Sequence, residues 1–560
     1  MDNYQIADSF SLLAKLMDIH NENSFKAKSY SIAAFTIEKL PAQLSTTPVE
    51  KIFTIKGIGE STGKKVIELL ETGELKQLNE IISKTPPGVM EMLNIKGIGP
   101  RKISTIWKEM EIETIGELLY ACQENRLKLF KGFGEKTQLN VTETIEYYLK
   151  SKGSFLFAQI KPMEDAVRSF FIKLFGNNKI VFTGSYKRQL EIISELEIVI
   201  DDTIINIENR LATVDDFKLV EKTDDELLYK SEVGLRLRLY GCDSSPFIKQ
   251  GFIKGCSIEF ADSFMQQFTN INYDTCKTEE DIFAAAGINF IPTCQRESIE
   301  VIEMAKHQAL PPLLTTGDIK GIIHSHSNWS DGGNTLEEMA NGAIAKGLEY
   351  LVISDHSKTA FYAHGLEIER IREQHLHIEE LNERLKPFKI LKSIESDILN
   401  DGSLDYPTEI LATFDLVIAS IHSNLKMTEE KAMLRLINAI ENPYTTILGH
   451  MTGRLLLSRR GYPVDHKKII DACAANHVVI ELNAHPNRLD IDWRHLDYAL
   501  KKGVLISIDP DAHSIEGFAD IQYGVSVAQK AMLTKERNLS SFNLRELETF
   551  LANRRQLKKI

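Results

Sequence analysis

The sequence predicts a multidomain protein whose C-terminal part is a barrel of seven β/α units. Its 560 residues exceed the length at which a single hydrophobic core stops growing, so we expect three or more domains. Beyond residue 320, short apolar runs recur about 30 residues apart, which is the spacing of parallel strands joined by crossover helices. Within the first 150 residues, a glycine-containing pentapeptide is repeated between helix-like segments.

The apolar runs that predict the barrel strands are short and rich in isoleucine, leucine and valine. They occupy residues 322–323, 351–353, 390–391, 416–418, 447–448, 478–480 and 504–506. Seven such units are enough to close a barrel, and the functional loops of this fold open at the carboxyl ends of its strands. Polar side chains that follow these runs are therefore expected to meet on one face.

Nine side chains that can bind metal end or follow these runs. They are His324, His326, Asp331, His356, Glu395, His422, His450, Asp511 and His513. His324 and His326 stand at i and i+2, so they project from one face of a strand and can chelate one ion. A single histidine of this kind is more often a hydrogen-bonded core or surface residue, but the joint placement favours a metal site. Nine ligands exceed the need of one ion, so we expect two or three divalent ions, bridged by a carboxylate such as Glu395.

Such a cluster predicts the hydrolysis of phosphoesters. Divalent ions lower the pKa of a bound water, orient it for in-line attack and neutralise the developing charge, so the protein need not provide a nucleophile. Imidazole-rich ligands with carboxylates favour manganese, zinc or iron over magnesium. Arg454 and Arg488 each follow a strand end and could bind a phosphate in bidentate fashion, and a surface ion pair is an equally frequent use of such arginines.

The region 318–560 resembles the PHP (polymerase and histidinol phosphatase) family of metal-dependent phosphoesterases. The matching motifs are His-Ser-His-Ser-Asn-Trp-Ser-Asp-Gly at 324–332, Ser-Asp-His at 354–356, Glu-Ser-Asp-Ile at 395–398, His-Met-Thr-Gly-Arg at 450–454 and Asp-Ala-His at 511–513. The resemblance implies a (β/α)7 PHP barrel in which all nine side chains are metal ligands. From their chemistry and their places after strand ends, we expect catalytic roles for Glu395, Arg454 and Arg488.

The repeated pentapeptide of the N-terminal region is Ile-Lys-Gly-Ile-Gly at 55–59 and again at 95–99, with a looser copy, Phe-Lys-Gly-Phe-Gly, at 130–134. Glycines at alternate positions let a tight hairpin turn its backbone N–H groups towards phosphate without reading bases. A single copy could be a glycine helix cap, but identical copies 40 residues apart favour nucleic-acid binding. These segments resemble helix-hairpin-helix motifs. The residues expected to contact DNA are Lys56, Gly57, Gly59, Lys96, Gly97, Gly99, Gly132 and Gly134.

Residues 25–30 and 57–65 resemble the small N-terminal domain of family X DNA polymerases. The resemblance implies a lyase-type and fingers-like region over residues 1–150 that binds the 5′ side of a gap. Lys65 matches the lysine that forms a Schiff base with an abasic sugar in some members. Such a lysine must be partly deprotonated, so the alternative for Lys65 is a solvated helix lysine that only contacts phosphate.

The segment 184–199 resembles the palm signature of the same family, in which Gly-Ser binds triphosphate and an Asp-x-Asp pair on the next strand holds two magnesium ions. We expect the third carboxylate position on a strand at 233–239, in one of three registers. The residues at the corresponding positions, together with a neighbouring arginine of the signature, are Gly184, Ser185, Arg188, Glu195, Glu197, Gly234, Arg236 and Arg238.

These substitutions predict a palm that has lost its catalysis. Glu195 and Glu197 extend each carboxylate by a methylene, which displaces metal in a reaction that depends on close alignment. None of the three candidate third positions is a carboxylate, and arginine cannot ligate a cation. The nucleotide-contacting segment of the family is not recognisable between residues 255 and 272. We therefore expect residues 151–310 to form an α+β nucleotidyltransferase-like palm with a shortened thumb and a vestigial active site, although an ordinary strand with ion-paired side chains fits the pattern equally well.

Composition predicts a globular protein of a reducing compartment. Hydrophobic residues make up 43% of the chain, no long apolar segment or signal peptide is present, and the six cysteines show no CxxC pairing. We expect a cytoplasmic, nucleoid-associated protein that does not bind membranes. The net charge of −13 does not decide the partner, because a DNA-binding face needs only a local basic patch.

The patterns together predict a DNA-repair protein that processes DNA ends on a family X scaffold. The expected activity is that of a metal-dependent 3′–5′ exonuclease, 3′-end phosphodiesterase or phosphatase, with gapped DNA, nicked DNA or DNA 3′ ends as partners. Two alternatives remain open. One is an active gap-filling polymerase, and the other is a DNA-binding scaffold without catalysis.

Overall fold

A computed structural model of the chain describes residues 1–38, 40, 42–95, 97–150, 153–231, 234–243 and 245–560. The chain divides into two compact units. The N-terminal unit comprises residues 1–123 and 127–146, and the C-terminal unit comprises residues 124–126 and 147–560. Among the described residues, no helix is both long enough and apolar enough to span a bilayer.

The N-terminal unit is built from helices. They are α1 (Asn3–Ile19), α2 (Ser24–Glu38), α3 (Val49–Ile52), α4 (Glu60–Thr72), α5 (Lys76–Ser83), α6 (Pro87–Glu91), α7 (Pro100–Lys108), α8 (Ile115–Gln123) and α9 (Glu135–Lys150). Asp2 starts α1 as a capping box with Gln5, and the apolar face that follows, including Phe10, packs against Tyr30 of α2 with ring centroids 5.7 Å apart.

The first part of the C-terminal unit is an α+β layer. Its strands are β1 (Phe155–Leu156), β2 (Ile180–Thr183), β3 (Ile192–Ile193), β4 (Leu196–Ile200), β5 (Phe217–Lys222), β6 (Glu226–Ser231) and β7 (Arg236–Tyr240). Its helices are α10 (Phe157–Ile160), α11 (Glu164–Phe175), α12 (Gly184–Lys187), α13 (Ile204–Leu211), α14 (Phe247–Lys254), α15 (Ile258–Gln267), α16 (Glu279–Ala286) and α17 (Glu300–His307). One sheet has the strand order β2-β4-β7-β6-β5, and its central strands β4 and β7 are parallel.

One predicted strand boundary in this layer is wrong. The strand expected at 233–239 begins only at Arg236, and Val233 lies outside the described residues. Gly234 adopts φ +86° in the turn before β7, where its N–H donates to the Ser231 carbonyl over 3.0 Å. A tight reversal between antiparallel strands requires this left-handed conformation, and glycine adopts it without strain.

The second part of the C-terminal unit is a parallel barrel, and residues 245–560 are all described. Its strands are β8 (Gly321–Ser325), β9 (Tyr350–Ile353), β10 (Lys389–Asp397), β11 (Leu416–Ser420), β12 (Ile447–Leu448), β13 (Val479–Asn483) and β14 (Ile506–Asp509). The helices are α18 (Leu336–Ala345), α19 (Ile368–Arg384), α20 (Thr408–Leu411), α21 (Glu429–Glu441), α22 (His466–Asn476), α23 (Leu496–Lys501), α24 (Ile521–Lys530) and α25 (Leu544–Lys558). The strands pair in chain order, and a parallel bridge between Ser325 and Ala512 joins the two ends of the sheet. The predicted (β/α)7 barrel is confirmed.

Alternate side chains along the barrel strands belong to two different hydrophobic cores, one between the strands and the helices and one inside the barrel. Ile322 packs with the surrounding helices, whereas Ile323 belongs to an interior cluster with Tyr350. Tyr350 is the first residue of its strand, and the same cluster contains Leu547 and Leu551 of α25. The C-terminal helix therefore covers the amino ends of the strands and leaves the carboxyl ends for the functional side chains.

Candidate metal centre and DNA-contacting hairpins

The barrel brings all nine predicted metal ligands together at the carboxyl ends of its strands. They form four overlapping groups in which the potential ligand atoms lie within 4.8 Å of one another. The groups are His326 with Asp331, His356 and His513; His324 with His326 and Asp511; His324 with Glu395 and His450; and His356 with Glu395 and His422. Several residues belong to two groups, which is the arrangement expected for neighbouring ions that share ligands.

Glu395, near the end of β10, occupies the centre of this cluster. Its Oε1 lies 2.9 Å from Nε2 of His450 and 3.0 Å from Nε2 of His422, and its Oε2 lies 2.9 Å from Nδ1 of His356. The two carboxylate oxygens thus face different imidazoles. A carboxylate in this position could be shared by two ions, and the bridging role of Glu395 stays a prediction.

The buried polar atoms of the cluster fit a set of divalent ions. Nε2 of His324, Oδ2 of Asp331 and Nε2 of His513 are buried and make no well-aligned hydrogen bond within the described part of the chain. Buried polar atoms of this kind ordinarily have a partner, and a metal ion would provide one. The donor set of imidazoles and carboxylates is the one that manganese, zinc or iron accepts.

The electrostatics of the cluster keep its carboxylates ionised. Burial alone would raise the pKa of Glu395, but the positive charge of His422, His324 and His356 in their protonated form outweighs it and holds that pKa well below its ordinary value. The pKa of Asp511 is lowered in the same way, against the effect of burial, chiefly by His324. An ionised carboxylate is the form that ligates metal.

Carboxylates behind the ligands orient the imidazoles, and the sequence analysis missed them. Asp397 Oδ1 lies 2.6 Å from Nδ1 of His422, and Glu481 pairs with Nδ1 of His324. Each contact leaves Nε2 of the same ring to face Glu395. The signal for Asp397 was present, because it lies inside the Glu-Ser-Asp-Ile motif. Glu481 directly follows an apolar run, where a further acidic residue could have been noticed.

The two predicted phosphate-binding arginines occupy different environments. Nε of Arg488 lies 3.6 Å from Oδ2 of Asp511, so its guanidinium is beside the cluster. Arg454 donates from Nη1 to Asp492 over 2.5 Å, from Nε to the Arg488 carbonyl over 3.0 Å, and from Nη2 to the Leu489 carbonyl. All three nitrogens of Arg454 are thus used to hold the segment that carries Arg488.

In the α+β layer, the two glutamates of the palm signature contact hydrogen-bond donors rather than side chains that can bind a metal. Glu195 lies between two arginines, with Nη2 of Arg236 at 2.8 Å and Nη2 of Arg238 at 3.2 Å from its Oε1. The parallel pairing of β4 with β7 places Glu197 opposite Arg238, which is one of the three predicted registers. Arg238 also pairs with Glu226. Guanidinium groups therefore occupy two of the three positions predicted for a third carboxylate.

Glu197 fills the turn that resembles a triphosphate-binding site. Its Oε1 accepts the Ser185 N–H over 3.3 Å, and its Oε2 accepts the Tyr240 hydroxyl over 2.7 Å. A Cβ placed on Gly184, whose φ is +62°, would lie only 1.7 Å from Oε1 of Glu197, so a larger residue here would displace this carboxylate. Arg188 is also engaged, with its Nε 2.6 Å from Oε1 of Glu297.

In the N-terminal unit, the three repeated segments form equivalent hairpins. In each, the N–H of the apolar residue between the glycines donates back three residues, over 3.0 Å at Ile58, 3.4 Å at Ile98 and 3.1 Å at Phe133. The preceding glycines, Gly57, Gly97 and Gly132, have φ values of +97°, +92° and +94°. These left-handed positions require glycine for the turn itself.

The second glycine of each hairpin has no such backbone reason. Gly59 caps α4 and Gly99 caps α7, both with negative φ, and Gly134 precedes α9. A Cβ at any of the three would meet no described atom within 4 Å. Neither backbone strain nor packing against the described residues explains these glycines, whereas the close approach of a phosphate backbone to a helix N-terminus would.

Two of the lysines predicted to contact DNA can be placed. Lys56 is exposed on the first hairpin, and Lys96 lies outside the described residues. Lys65 is half-buried on α4. Its neighbour Lys64 pairs with Glu60, with Nζ 2.8 Å from Oε1, because residues four apart on a helix lie on the same face.

Comparisons with known proteins match both parts of this description. Residues 1–75 match the helix-hairpin-helix domain, residues 89–145 the SAM-like helix-hairpin-helix tandem, and residues 323–485 the PHP domain. The DNA polymerase/3′-5′ exonuclease PolX of Bacillus subtilis (strain 168) is 30% identical over 558 residues, covering 96% of this chain and 97% of the relative. A probable phosphatase of Thermoanaerobacter sp. (strain X514) is 27% identical over 40% of this chain and 91% of its own length, and one of Acetivibrio thermocellus is 30% identical over 35% and 80%.

Proposed function

Because the chain belongs to the family X DNA polymerases that carry a C-terminal PHP domain, we propose that its barrel removes nucleotides or phosphate from the 3′ ends of DNA. The observation that carries this proposal is the buried cluster of nine ligands around Glu395. A metal-dependent phosphoesterase needs such a cluster, and a scaffold without catalysis does not. The hairpins of the same chain favour DNA over a small phosphoester as the substrate.

The residues of the cluster have separate roles in the proposed hydrolysis. When bound, divalent ions lower the pKa of a water and neutralise charge on the phosphate. Glu395 holds the two halves of the cluster together through its two oxygens. Asp397 and Glu481 fix the ring orientations of His422 and His324. We infer that Arg488, whose Nε lies 3.6 Å from Oδ2 of Asp511, binds a non-bridging oxygen of the scissile phosphate.

The experiment that tests this proposal uses 5′-labelled DNA with defined 3′ ends and manganese. The parent protein should shorten or dephosphorylate the DNA from its 3′ end, and the Glu395→Ala protein should leave it intact. Bis(p-nitrophenyl) phosphate serves as a second substrate that carries no nucleobase. If the parent cleaves this ester but no 3′ end, the chain is a phosphoesterase of another substrate and the DNA proposal fails.

We further propose that the palm does not extend primers. The support is local: guanidinium groups surround Glu195, and Glu197 fills the turn at Gly184 and Ser185. An arginine is a permanent cation without an acceptor, so Arg236 and Arg238 would repel the magnesium ions that nucleotidyl transfer requires. A gap-filling assay with all four deoxynucleotides tests this, and templated extension would contradict it.

In the N-terminal unit, we propose that the hairpins hold the DNA backbone and that Lys65 contacts it next to the first hairpin. The open space around Gly59, Gly99 and Gly134 supports the first part of this proposal. Borohydride trapping on DNA with an abasic site would reveal a Schiff base at Lys65, with Lys65→Arg as the control. Without a trapped adduct, Lys65 is left with the contact to phosphate.

A further inference from the structure

The palm touches the barrel at the segment that carries Arg488. We name residues 485–494, which follow β13, the Arg488 loop. Pro486 and Leu489 of this loop line one crevice together with Phe157 and Gln189 of the palm. At the edge of the contact, Nη1 of Arg494 lies 3.1 Å from Oε1 of Glu191. All of these residues belong to the C-terminal unit.

Glu191 is fixed on the palm side. Its side chain is only 7% exposed, and its carbonyl accepts the Phe157 N–H over 3.0 Å. It stands immediately before β3, which pairs with β1. A carboxylate held in this way offers a rigid partner, because little side-chain or backbone freedom remains to be lost when Arg494 binds it.

A continuous chain of polar contacts runs from Glu191 to the metal cluster. Nη1 of Arg494 lies 2.9 Å from Oδ1 of Asp492, and Oδ2 of Asp492 lies 2.5 Å from Nη1 of Arg454. Arg454 donates in turn to the Arg488 carbonyl over 3.0 Å. The Arg488 guanidinium then approaches Asp511 at 3.6 Å. Each link either is charge-assisted or holds the loop backbone, so the contacts connect Glu191 to Arg488 without a break.

The loop conformation needs this support. Leu489 adopts φ +45°, in the left-handed region that a branched side chain rarely occupies. Arg454 binds the Leu489 carbonyl as well as that of Arg488. A strained backbone persists only where its surroundings hold it, and the palm supplies part of those surroundings.

A second contact fixes the palm against the same side of the barrel. Lys530, at the end of α24, is 6% exposed, and its ammonium group donates to the Arg188 carbonyl of the palm. The neighbouring Gln529 carbonyl accepts Nε2 of Gln295 over 3.1 Å. The Lys530 ammonium also lies 5.6 Å from the ring centre of Trp493, the residue between Asp492 and Arg494. The palm thus has a second contact with the barrel close to the loop.

We propose that Glu191 is a positioning residue of the phosphoesterase: through Arg494, Asp492 and Arg454 it sets the place of Arg488 beside the metal cluster. The palm then holds the Arg488 loop of the barrel in place, a role that requires no nucleotidyl transfer. This inference rests on the proposed phosphoesterase function, with Arg488 as the group that contacts the scissile phosphate.

The experiment compares Glu191→Ala in two backgrounds, the parent protein and the Arg488→Ala protein. Initial rates are measured with manganese on bis(p-nitrophenyl) phosphate and on 5′-labelled DNA. In the parent background we expect kcat to fall about tenfold, since small misplacements of a catalytic group cost up to about a hundredfold. The KM for DNA should change little, because the hairpins bind the DNA backbone. In the Arg488→Ala background, Glu191→Ala should change kcat less than about twofold, because it acts through Arg488.

Two further measurements separate positioning from loss of structure. Hydrogen–deuterium exchange of a peptide spanning 485–494 should rise in Glu191→Ala, while bound manganese per chain stays equal to that of the parent. Asp497→Asn, which removes an exposed pair with Lys501 in the same barrel, is the matched control and should change neither kcat nor the exchange.

The outcomes are distinct. An equal loss of kcat in both backgrounds would mean that Glu191 only stabilises the fold, and an unchanged kcat in the parent background would mean that it has no role; either result overturns the inference. If the parent cleaves bis(p-nitrophenyl) phosphate but no DNA, the DNA proposal fails, and the comparison of backgrounds still tests Glu191 on the simple ester.

Discussion

The barrel and the palm both gather carboxylates, but they surround them with opposite kinds of neighbour. In the barrel, Glu395 faces the imidazoles of His356, His422 and His450 at 2.9–3.0 Å. In the palm, Glu195 faces the guanidinium group of Arg236 at 2.8 Å. An imidazole can give its lone pair to a metal, whereas a guanidinium offers only donors and a permanent positive charge. The neighbours of a carboxylate, rather than the carboxylate itself, decide whether a site can hold a cation.

The two sites also differ in whether their polar atoms already have hydrogen-bond partners. In the barrel, buried atoms such as Nε2 of His513 are left without a well-aligned hydrogen bond by the described residues, and ions would complete them. In the palm, both oxygens of Glu197 already accept hydrogen bonds, from Ser185 and Tyr240. The palm glutamates are therefore satisfied by the fold, whereas the barrel cluster leaves buried polar atoms that a metal ion could satisfy.

The largest effect should follow the removal of the central carboxylate of the barrel. We expect Glu395→Gln to lower kcat for 3′-end removal by more than about a hundredfold, because the loss of even an outer partner of a ligand costs 10- to 100-fold. Manganese-dependent cleavage and bound manganese per chain are the measurements, and both should fall. Glu195→Gln is the matched palm variant and should leave both unchanged. Equal activity of the Glu395→Gln and parent proteins would show that the cluster does not catalyse the cleavage.

A smaller loss should follow the removal of a carboxylate that orients a ligand. In Asp397→Asn, a neutral amide replaces the carboxylate that contacts Nδ1 of His422. The negative charge that favours a firmly oriented imidazole is therefore lost. We expect manganese affinity or activity to fall about 10- to 100-fold, and excess manganese should restore most of the activity. Manganese titrations of the initial rate provide the measurement. If saturating manganese restores nothing, Asp397 has a role other than orienting a ligand.

The sequence was sufficient for the barrel and its ligands because both depend on local patterns. Apolar runs at a regular spacing predict parallel strands, and the fold itself brings the carboxyl ends of those strands together. His324, Glu395 and Asp511 could therefore be assigned to one cluster although they are distant in the chain. The hairpins could be predicted for the same reason, since a repeated pentapeptide repeats its turn.

The sequence was insufficient where the decisive contacts join distant segments. That Arg236 and Arg238 both contact Glu195 depends on strand register, which only the pairing of β4 with β7 fixes. The placement of Arg454 beneath Leu489, and of Glu191 against Arg494, depends on how loops of different elements meet. Gly234 was assigned to a strand because an apolar run does not show where a turn ends.

The hairpins offer a test in which the fold should not change. In Gly59→Ala with Gly99→Ala, each new methyl group enters open space at a permissive φ, so the melting temperature should stay close to that of the parent. The affinity for gapped DNA should fall about tenfold, or about 1.4 kcal/mol, because the methyl groups hold the phosphate backbone away. Fluorescence anisotropy with labelled DNA measures the affinity at several salt concentrations.

The control for the hairpin variant is Gly317→Ala, where a Cβ would make only an ordinary contact with Thr315 Oγ1 at 3.6 Å. The parent affinity should fall steeply with salt, as expected for contacts to phosphate. Unchanged affinity of the double hairpin variant at every salt concentration would show that these glycines serve the chain alone.

The smallest effect should come from substitutions in the palm, because we expect the parent protein to show no primer extension. On a gapped template with magnesium or manganese, the parent protein should add no nucleotide, because two guanidinium groups face Glu195 and the carboxylate of Glu197 fills the turn at Gly184. Restoring Asp at positions 195, 197 and 238 together should not create robust extension, since the nucleotide-contacting segment of the family is not recognisable after residue 255. Throughout this series, cleavage of DNA 3′ ends should stay within about twofold of the parent value, as expected for substitutions at a separate site. Templated extension by the unmodified protein that disappears in Glu195→Ala would instead mean that the palm holds metal despite its arginines.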